Sequence, residues 1–165
     1  MTQLEVLLAI KQYISKFAPI DLKKVFVGYQ NRVQLPKDND FIIMTLLNNE
    51  VLGTPIEKYN DLTNSYDIKQ HTQAQIQIDF YGKFAMDRAN AIIAISRTIV
   101  GNEFLTKKGL QTLFADSSQN VTMDMGEKQY VDRYIVTLNV EYDASVVISQ
   151  DGFNTAKINL IKTEL

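Results

Sequence analysis

Two long segments that alternate between apolar and polar side chains constrain the fold of this chain more than any other feature. In the first segment, the apolar residues Ala74, Ile76, Ile78 and Phe80 alternate with Gln73, Gln75, Gln77 and Asp79. In the second, Tyr134, Val136, Leu138, Val140 and Tyr142 alternate with Arg133, Ile135, Thr137, Asn139 and Glu141. Successive side chains of a strand point to opposite faces, so each segment predicts a strand in a sheet that is covered on one side. The mostly polar second face contacts either solvent or another molecule.

The composition restricts the class of protein. A length of 165 residues suits one compact domain, expected to span residues 1–165. The 17 basic and 19 acidic residues give a net charge of -2, which argues against a dedicated nucleic-acid-binding protein. The absence of cysteine excludes disulfides, thiolate metal sites and cysteine nucleophiles. Because we find neither a secretory signal nor an apolar stretch near the ~20 residues that span a bilayer, we expect a cytoplasmic protein.

The remaining segments predict an α+β fold. Thr2 and Glu5 have the spacing of a capping box, and a stripe of apolar residues after them predicts an amphipathic helix that ends before Pro19 and packs on the sheet. The stripe contains Leu4, Leu7, Leu8, Ile10, Ile14 and Phe17. Strands are predicted at 24–29, 41–47 (covered on both faces), 66–81, 110–115, 130–148 and 156–163. A second helix is predicted over 85–100 with Gly101 as its C-cap, and loops are predicted over 50–64 and 116–128. This order indicates a single domain with a largely antiparallel, twisted sheet flanked by two main helices.

The length of the predicted strands has a geometric consequence. A strand over residues 66–81 would extend for about 50 Å at about 3.3 Å per residue. A compact domain of this size has a diameter of only about 40 Å, from a radius of gyration of about 15 Å. The strands therefore either bend, near His71, or project beyond the core as a hairpin-like arm. A projecting arm exposes strand edges that are suited to association.

No group of residues predicts catalysis. His71 is the only histidine and is expected to be a surface or structural residue. Ser65 and Asp67 complete the residue types of a catalytic triad, but triads are defined by geometry. Asp38 and Asp40 have the spacing that opens a calcium loop, without the downstream glycine and glutamate that such a loop needs. We therefore predict no enzymatic activity, no cofactor and no metal site.

Three motifs in order along the chain carry a resemblance to a known family. They are Asp-Phe-Ile-Ile-Met-Thr at 40–45, Gln-Ile-Gln-Ile-Asp-Phe-Tyr-Gly at 75–82 and Tyr-Val-Asp-Arg-Tyr at 130–134. An alanine-rich helix follows the second motif, and a late strand contains Val140-Glu141-Tyr142. This pattern resembles the neck or tail terminator proteins of long-tailed bacteriophages.

The resemblance implies a structural virion protein of the neck or tail, made in the host cytoplasm. It implies a hexameric ring that caps the tail tube, ends tube polymerisation and joins the tube to the head connector. The implied partners are further copies of the chain, the tail tube protein and the head connector or completion protein. DNA would pass through the lumen without specific binding, and no membrane is involved.

The predicted contact residues follow from the strands and loops. We expect the subunit interface to include Tyr66, Gln73, Gln75 and Gln77, and partner-contact loops to include Tyr59, Asp116, Asp124 and Lys128. Two alternatives stay open. One is another phage connector or a baseplate component. The other is a small ligand-binding α+β domain, which would need a pocket with converging polar groups.

Overall fold

A computed structural model of the protein describes residues 1–28, 39–124 and 130–150. The helices are α1 (Gln3–Phe17), α2 (Ala85–Ser96) and α3 (Ile99–Thr106), with a short 3-10 turn at Leu22–Lys24. The strands are β1 (Val25–Val27), β2 (Ile42–Val51), β3 (Ile56–Asn60), β4 (Ser65–Tyr81), β5 (Leu110–Ala115), β6 (Gln119–Asn120), β7 (Met123–Asp124), β8 (Tyr130–Val131) and β9 (Arg133–Ser149). This set of elements confirms the predicted α+β class.

The main sheet is built around the two longest strands. Its order is β1-β2-β4-β9-β5, with β3 beside β4 and β6 beside β9, and β7 and β8 form a separate two-stranded ribbon. Among these described strands, every pairing is antiparallel except that of β1 with β2. The strands β4 and β9 pair without interruption from Ser65 opposite Ser149 to Tyr81 opposite Arg133. These two strands therefore run the full length of the sheet.

The first helix forms where the capping box predicts it. The Glu5 amide donates to Thr2 Oγ1 at 3.3 Å, and the Thr2 amide donates to Glu5 Oε2 at 2.7 Å. These bonds satisfy amides that the helix leaves without partners, and they lower the pKa of Glu5. The helix ends at Phe17, two residues before Pro19, as predicted.

The predicted apolar stripe of α1 is only partly correct. The buried residues of this helix are Val6, Leu7, Ala9, Ile10, Tyr13 and Ile14. Leu4 and Leu8 instead lie on the solvent side of the helix. Successive helix residues are rotated by about 100°, which places Leu4 and Leu8 on the side of α1 away from the buried residues.

The hydrophobic core lies between the helices and one face of the sheet. Ala74, Ile76, Ile78 and Phe80 of β4 are buried there, together with Val136, Leu138, Val140 and Tyr142 of β9. Both alternating segments therefore point their apolar residues to the same covered face, as predicted.

The strand predicted over 41–47 is covered on both faces only in its first half. Ile42 and Met44 are buried in the main core, whereas Phe41 is buried in a smaller cluster to which Ile43 contributes. Leu47 is exposed. It lies at a β-bulge, where the pairing of β2 with β4 shifts and one residue is left without a partner in the ladder.

Three predictions about the connections are wrong. The segment 50–64 is not all loop, because β3 pairs with β4 from Ile56 opposite Lys69 to Asn60 opposite Ser65. The helix predicted over 85–100 stops at Ser96, and Thr98 caps a third helix by accepting from the Gly101 amide at 3.2 Å. Gly101 is thus not a C-cap. It is buried inside α3, where an added Cβ would lie 2.2 Å from the Ile95 carbonyl oxygen.

The other connections agree with the sequence in part. The predicted loop at 116–128 contains the two short strands β6 and β7 within its described portion. The last predicted strand, at 156–163, lies outside the described residues. Within 1–28, 39–124 and 130–150, no helix is long and apolar enough to cross a membrane.

Candidate assembly surfaces

The long strands project beyond the helices as an arm, formed by residues 52–71 and 143–149. The seventeen residues of β4 extend for about 56 Å at about 3.3 Å each. The opposed residues Thr72 and Tyr142 are both buried and mark the point where the arm begins. Beyond them, the large apolar side chains that are exposed on the arm are Leu52, Ile56, Tyr59, Leu62, Val146, Val147 and Ile148. Of the two geometries open from the sequence, the structure has the projecting one.

The four predicted interface residues lie on two faces of β4. Tyr66 occupies an even-numbered position and points to the same face as Ala74, because β4 pairs with β9 without a register shift. Gln73, Gln75 and Gln77 occupy odd-numbered positions and point to the opposite face. A flat contact on one face of the sheet therefore cannot include all four residues. Their place in a subunit interface stays a prediction.

The three glutamines lie in the middle of the polar face of the sheet. Each is half-buried and is flanked across the neighbouring strands by further polar residues. The rows are Glu50–Gln73–Glu141, Asn48–Gln75–Asn139 and Thr45–Gln77–Thr137. The face therefore offers hydrogen-bonding groups rather than apolar surface.

A buried ion pair organises the polar face next to the glutamines. Asp79 is only 4 % exposed, and its Oδ1 accepts from Arg133 Nε at 3.1 Å and from an Arg133 terminal nitrogen at 2.9 Å. Gln77 Nε2 donates to both Asp79 oxygens, at 3.1 and 2.9 Å. Gln77 is thus engaged within its own chain, which makes Gln73 and Gln75 the better candidates for contact with another molecule.

An aromatic cluster closes the polar face at the end opposite the arm. Phe41 and Tyr81 stack with their ring centroids 4.5 Å apart, and Phe26 meets Phe41 edge-on at 6.3 Å. Val131 is buried in the same cluster. Burial raises the pKa of Tyr81.

His71 lies at the base of the arm, between two carboxylates of β9. Its Nδ1 lies 3.0 Å from Asp143 Oδ1, and its Nε2 lies 3.4 Å from Glu141 Oε2. The hydrogen bond to Asp143 is the main cause that raises the pKa of His71. Ser65 lies six residues away along the same strand, which is about 20 Å. The triad residue types Ser65, Asp67 and His71 are therefore not brought together.

Asp40, just before β2, forms ion pairs with two basic side chains of the same chain. Asp40 Oδ1 accepts from Arg88 at 2.5 Å, and Lys24 Nζ lies 3.4 Å from its Oδ2. The hydrogen bond from Arg88 is the main cause that lowers the pKa of Asp40. Asp38 lies outside the described residues. Among the residues that the structure describes, no group of three or more His, Cys, Asp or Glu side chains could hold a metal ion.

The predicted partner-contact residues lie in different places. Tyr59 is on β3 rather than in a loop, and its ring packs against Tyr66 with centroids 5.1 Å apart. Asp116 is exposed and lines a cleft of about 450 Å³ beside the polar face. The Asp124 side chain and Lys128 lie outside the described residues.

Sequence reasoning missed the apolar surface of the arm. The run Val146-Val147-Ile148 was predicted as strand, and its exposure follows from where the helices stop covering the sheet. Leu62, at the tip between β3 and β4, is 97 % exposed. Its position in a predicted loop was the one available signal, since an apolar residue at a loop tip is a candidate for contact.

A comparison with protein families decides the class of this protein. The family model described as phage neck terminator protein matches residues 5–164. The chain belongs to the phage neck terminator family. No curated protein matches this chain. Membership in the family indicates a structural protein of the virion neck or tail that associates with other virion components, and it confirms the resemblance drawn from the three sequence motifs.

Proposed function

We propose that this neck terminator protein forms a homo-oligomeric ring, hexameric as the resemblance implies, which caps the tail tube and ends its polymerisation. The ring also joins the tube to the head connector, and it assembles in the host cytoplasm. The observation that carries the proposal is the family match over residues 5–164, nearly the whole chain. DNA passes through the lumen, and a net charge of -2 suits a channel in which DNA must not adhere.

The arm supports assembly on physical grounds. Its exposed apolar side chains lie on β3, on β9 and in the connections that contain Leu52 and Leu62, and a monomer in water would leave them uncovered. Large exposed apolar patches mark interaction sites in soluble proteins. A subunit that is one domain over residues 1–165 would bury this surface against its neighbours.

A ring needs two different patches on each subunit, because its contacts run head to tail. We assign one patch to the arm, which carries Tyr66 with Tyr59 packed against it. We assign a further contact to the polar face at Gln73 and Gln75, with Gln77 beside them but held by Asp79. The segments around residues 116, 124 and 128 then remain for contact with the tube protein or the head connector.

The test is electron microscopy of the purified protein, alone and with tail tubes of its phage. We expect closed rings on tube ends and tubes of normal length. Gln75→Lys should weaken ring formation, because it places a charge on a half-buried position of the polar face. Gln3→Lys, on the exposed side of α1, is the matched control.

Each outcome has a separate meaning. Tubes capped normally by the Gln75→Lys protein would remove the polar face from the interface. A protein that forms no ring, alone or on tubes, would contradict the proposed function itself.

A further inference from the structure

The tip of the arm holds one apolar side chain in a defined position. Residues 61–64 connect β3 to β4, and the Leu62 amide donates to Asn60 Oδ1 at 3.1 Å. Asn64 and Gln150 exchange two hydrogen bonds, from Asn64 Nδ2 at 2.5 Å and from the Gln150 amide at 2.9 Å. These bonds tie the turn to the end of β9. Leu62 is thus presented to solvent by a preorganised turn, which lowers the entropy lost on binding.

The opposite end of the molecule has an apolar hollow. It lies where the end of α1 meets α2, has a volume of about 460 Å³ and is lined by Pro19, Phe84, Asp87, Arg88 and Ala91. The exposed side chains of Leu22, Phe84 and Met86 belong to the same end of the molecule. The hollow is large enough for a leucine side chain and is bordered by further apolar groups.

The leucine and the hollow lie at opposite ends of β4. Leu62 precedes the strand by three residues, and Phe84 follows it by three. The strand between them is about 56 Å long at about 3.3 Å per residue. Within one chain, the two features cannot meet. Between neighbouring copies they can meet head to tail, which is the contact type that closes a ring.

We propose that Leu62 of one subunit inserts into the Pro19–Phe84–Ala91 hollow of the next subunit. This inference rests on the proposed ring and names its contact. Asp61, beside Leu62, would face Lys83, whose side chain is exposed and whose ammonium lies 5.7 Å from the centre of the Phe84 ring.

The charges around the hollow favour Lys83 as the partner of Asp61. Arg88 in the hollow is already paired with Asp40. Asp87 on the same rim repels a second carboxylate and so directs Asp61 towards the lysine.

The contact extends beyond the leucine. A stable interface buries about 800 Å² on each partner, which one side chain cannot supply. Tyr59, which is exposed on β3 near the tip, would continue the contact along the neighbour's exposed Leu22 and Met86. The leucine then acts as an anchor within a larger apolar surface.

Cysteine crosslinking tests the contact directly, because the natural chain has no cysteine. A protein with Leu62→Cys and Ala91→Cys, oxidised after assembly at high concentration or on tail tubes, should give a ladder of multimers on a non-reducing gel. The ladder should end at the closed ring. Leu62→Cys with Leu8→Cys is the matched control, since Leu8 is an exposed residue of α1, and it should give no ladder. The two single variants, mixed, should stop at the dimer.

A charge exchange gives a second readout. Asp61→Lys and Lys83→Glu should each raise the concentration needed for assembly about tenfold, and the double variant should restore it. Rings that assemble without the Leu62–Ala91 ladder, or an equal ladder from the control pair, would overturn this contact and leave the ring intact. Absence of rings under every condition would overturn the proposed function, and this contact with it.

Discussion

Replacing Ile14 with alanine should destabilise the protein by about 3 kcal/mol. Ile14 is fully buried in the core between α1 and the sheet. The loss of three carbon groups removes about 2.4 kcal/mol of transfer free energy, at about 0.8 kcal/mol each. A residual cavity of roughly 50 Å³ adds about 1.2 kcal/mol. The better helix propensity of alanine returns about 0.4 kcal/mol.

Urea denaturation at low protein concentration measures this effect without interference from assembly. With a slope of about 2 kcal/mol per M, the midpoint should fall by about 1.5 M. Leu4→Ala is the matched control, because it removes the same number of carbon atoms from a side chain of the same helix that is 65 % exposed. Its free energy of unfolding should change by no more than about 0.5 kcal/mol. Equal midpoints for the two variants would refute the placement of α1 against the core.

Three further predictions concern other contacts. Arg133→Ala should lower the free energy of unfolding by about 1–3 kcal/mol, measured by urea denaturation, because the buried Asp79 carboxylate loses the hydrogen bonds of a partly exposed cation. Thr2→Ala should cost about 1 kcal/mol in the same assay through loss of the helix cap. The NMR titration of His71 should give a pKa above 6.5, and Asp143→Asn should lower it. The pKa of His71 is higher in the folded chain than in the unfolded chain. The contact with Asp143 therefore stabilises the fold fully below pH 6.5, and this stabilisation disappears as the pH rises through the folded pKa. A titration of His71 at its ordinary pKa would contradict this prediction.

The sequence predicts those parts of the fold that depend on local pattern. Alternation identified β4 and β9 and the buried positions Ile76 and Leu138, and the capping box located the start of α1. The strand β3 was missed because Gly53, Pro55 and Asn60 favour a loop, while its pairing with β4 depends on tertiary context.

The assembly surfaces were harder to predict. The period of two already separates Tyr66 from the glutamines, so their opposite faces could have been read from the sequence. The exposure of residues 146–148 could not be predicted from the sequence, because it depends on where the helices end over the sheet. The hollow at Phe84 likewise arises from the meeting of two helices that are distant in sequence.

The length of tails made without this protein tests the central claim most directly. Deletion of its coding sequence from the phage, followed by electron microscopy of the lysate, compares tail lengths and head attachment with those of the parent. A ring that ends tube growth and joins the head predicts overlong tails and separate heads, restored by supplying the protein in trans. Tails of normal length that are joined to heads would contradict the account.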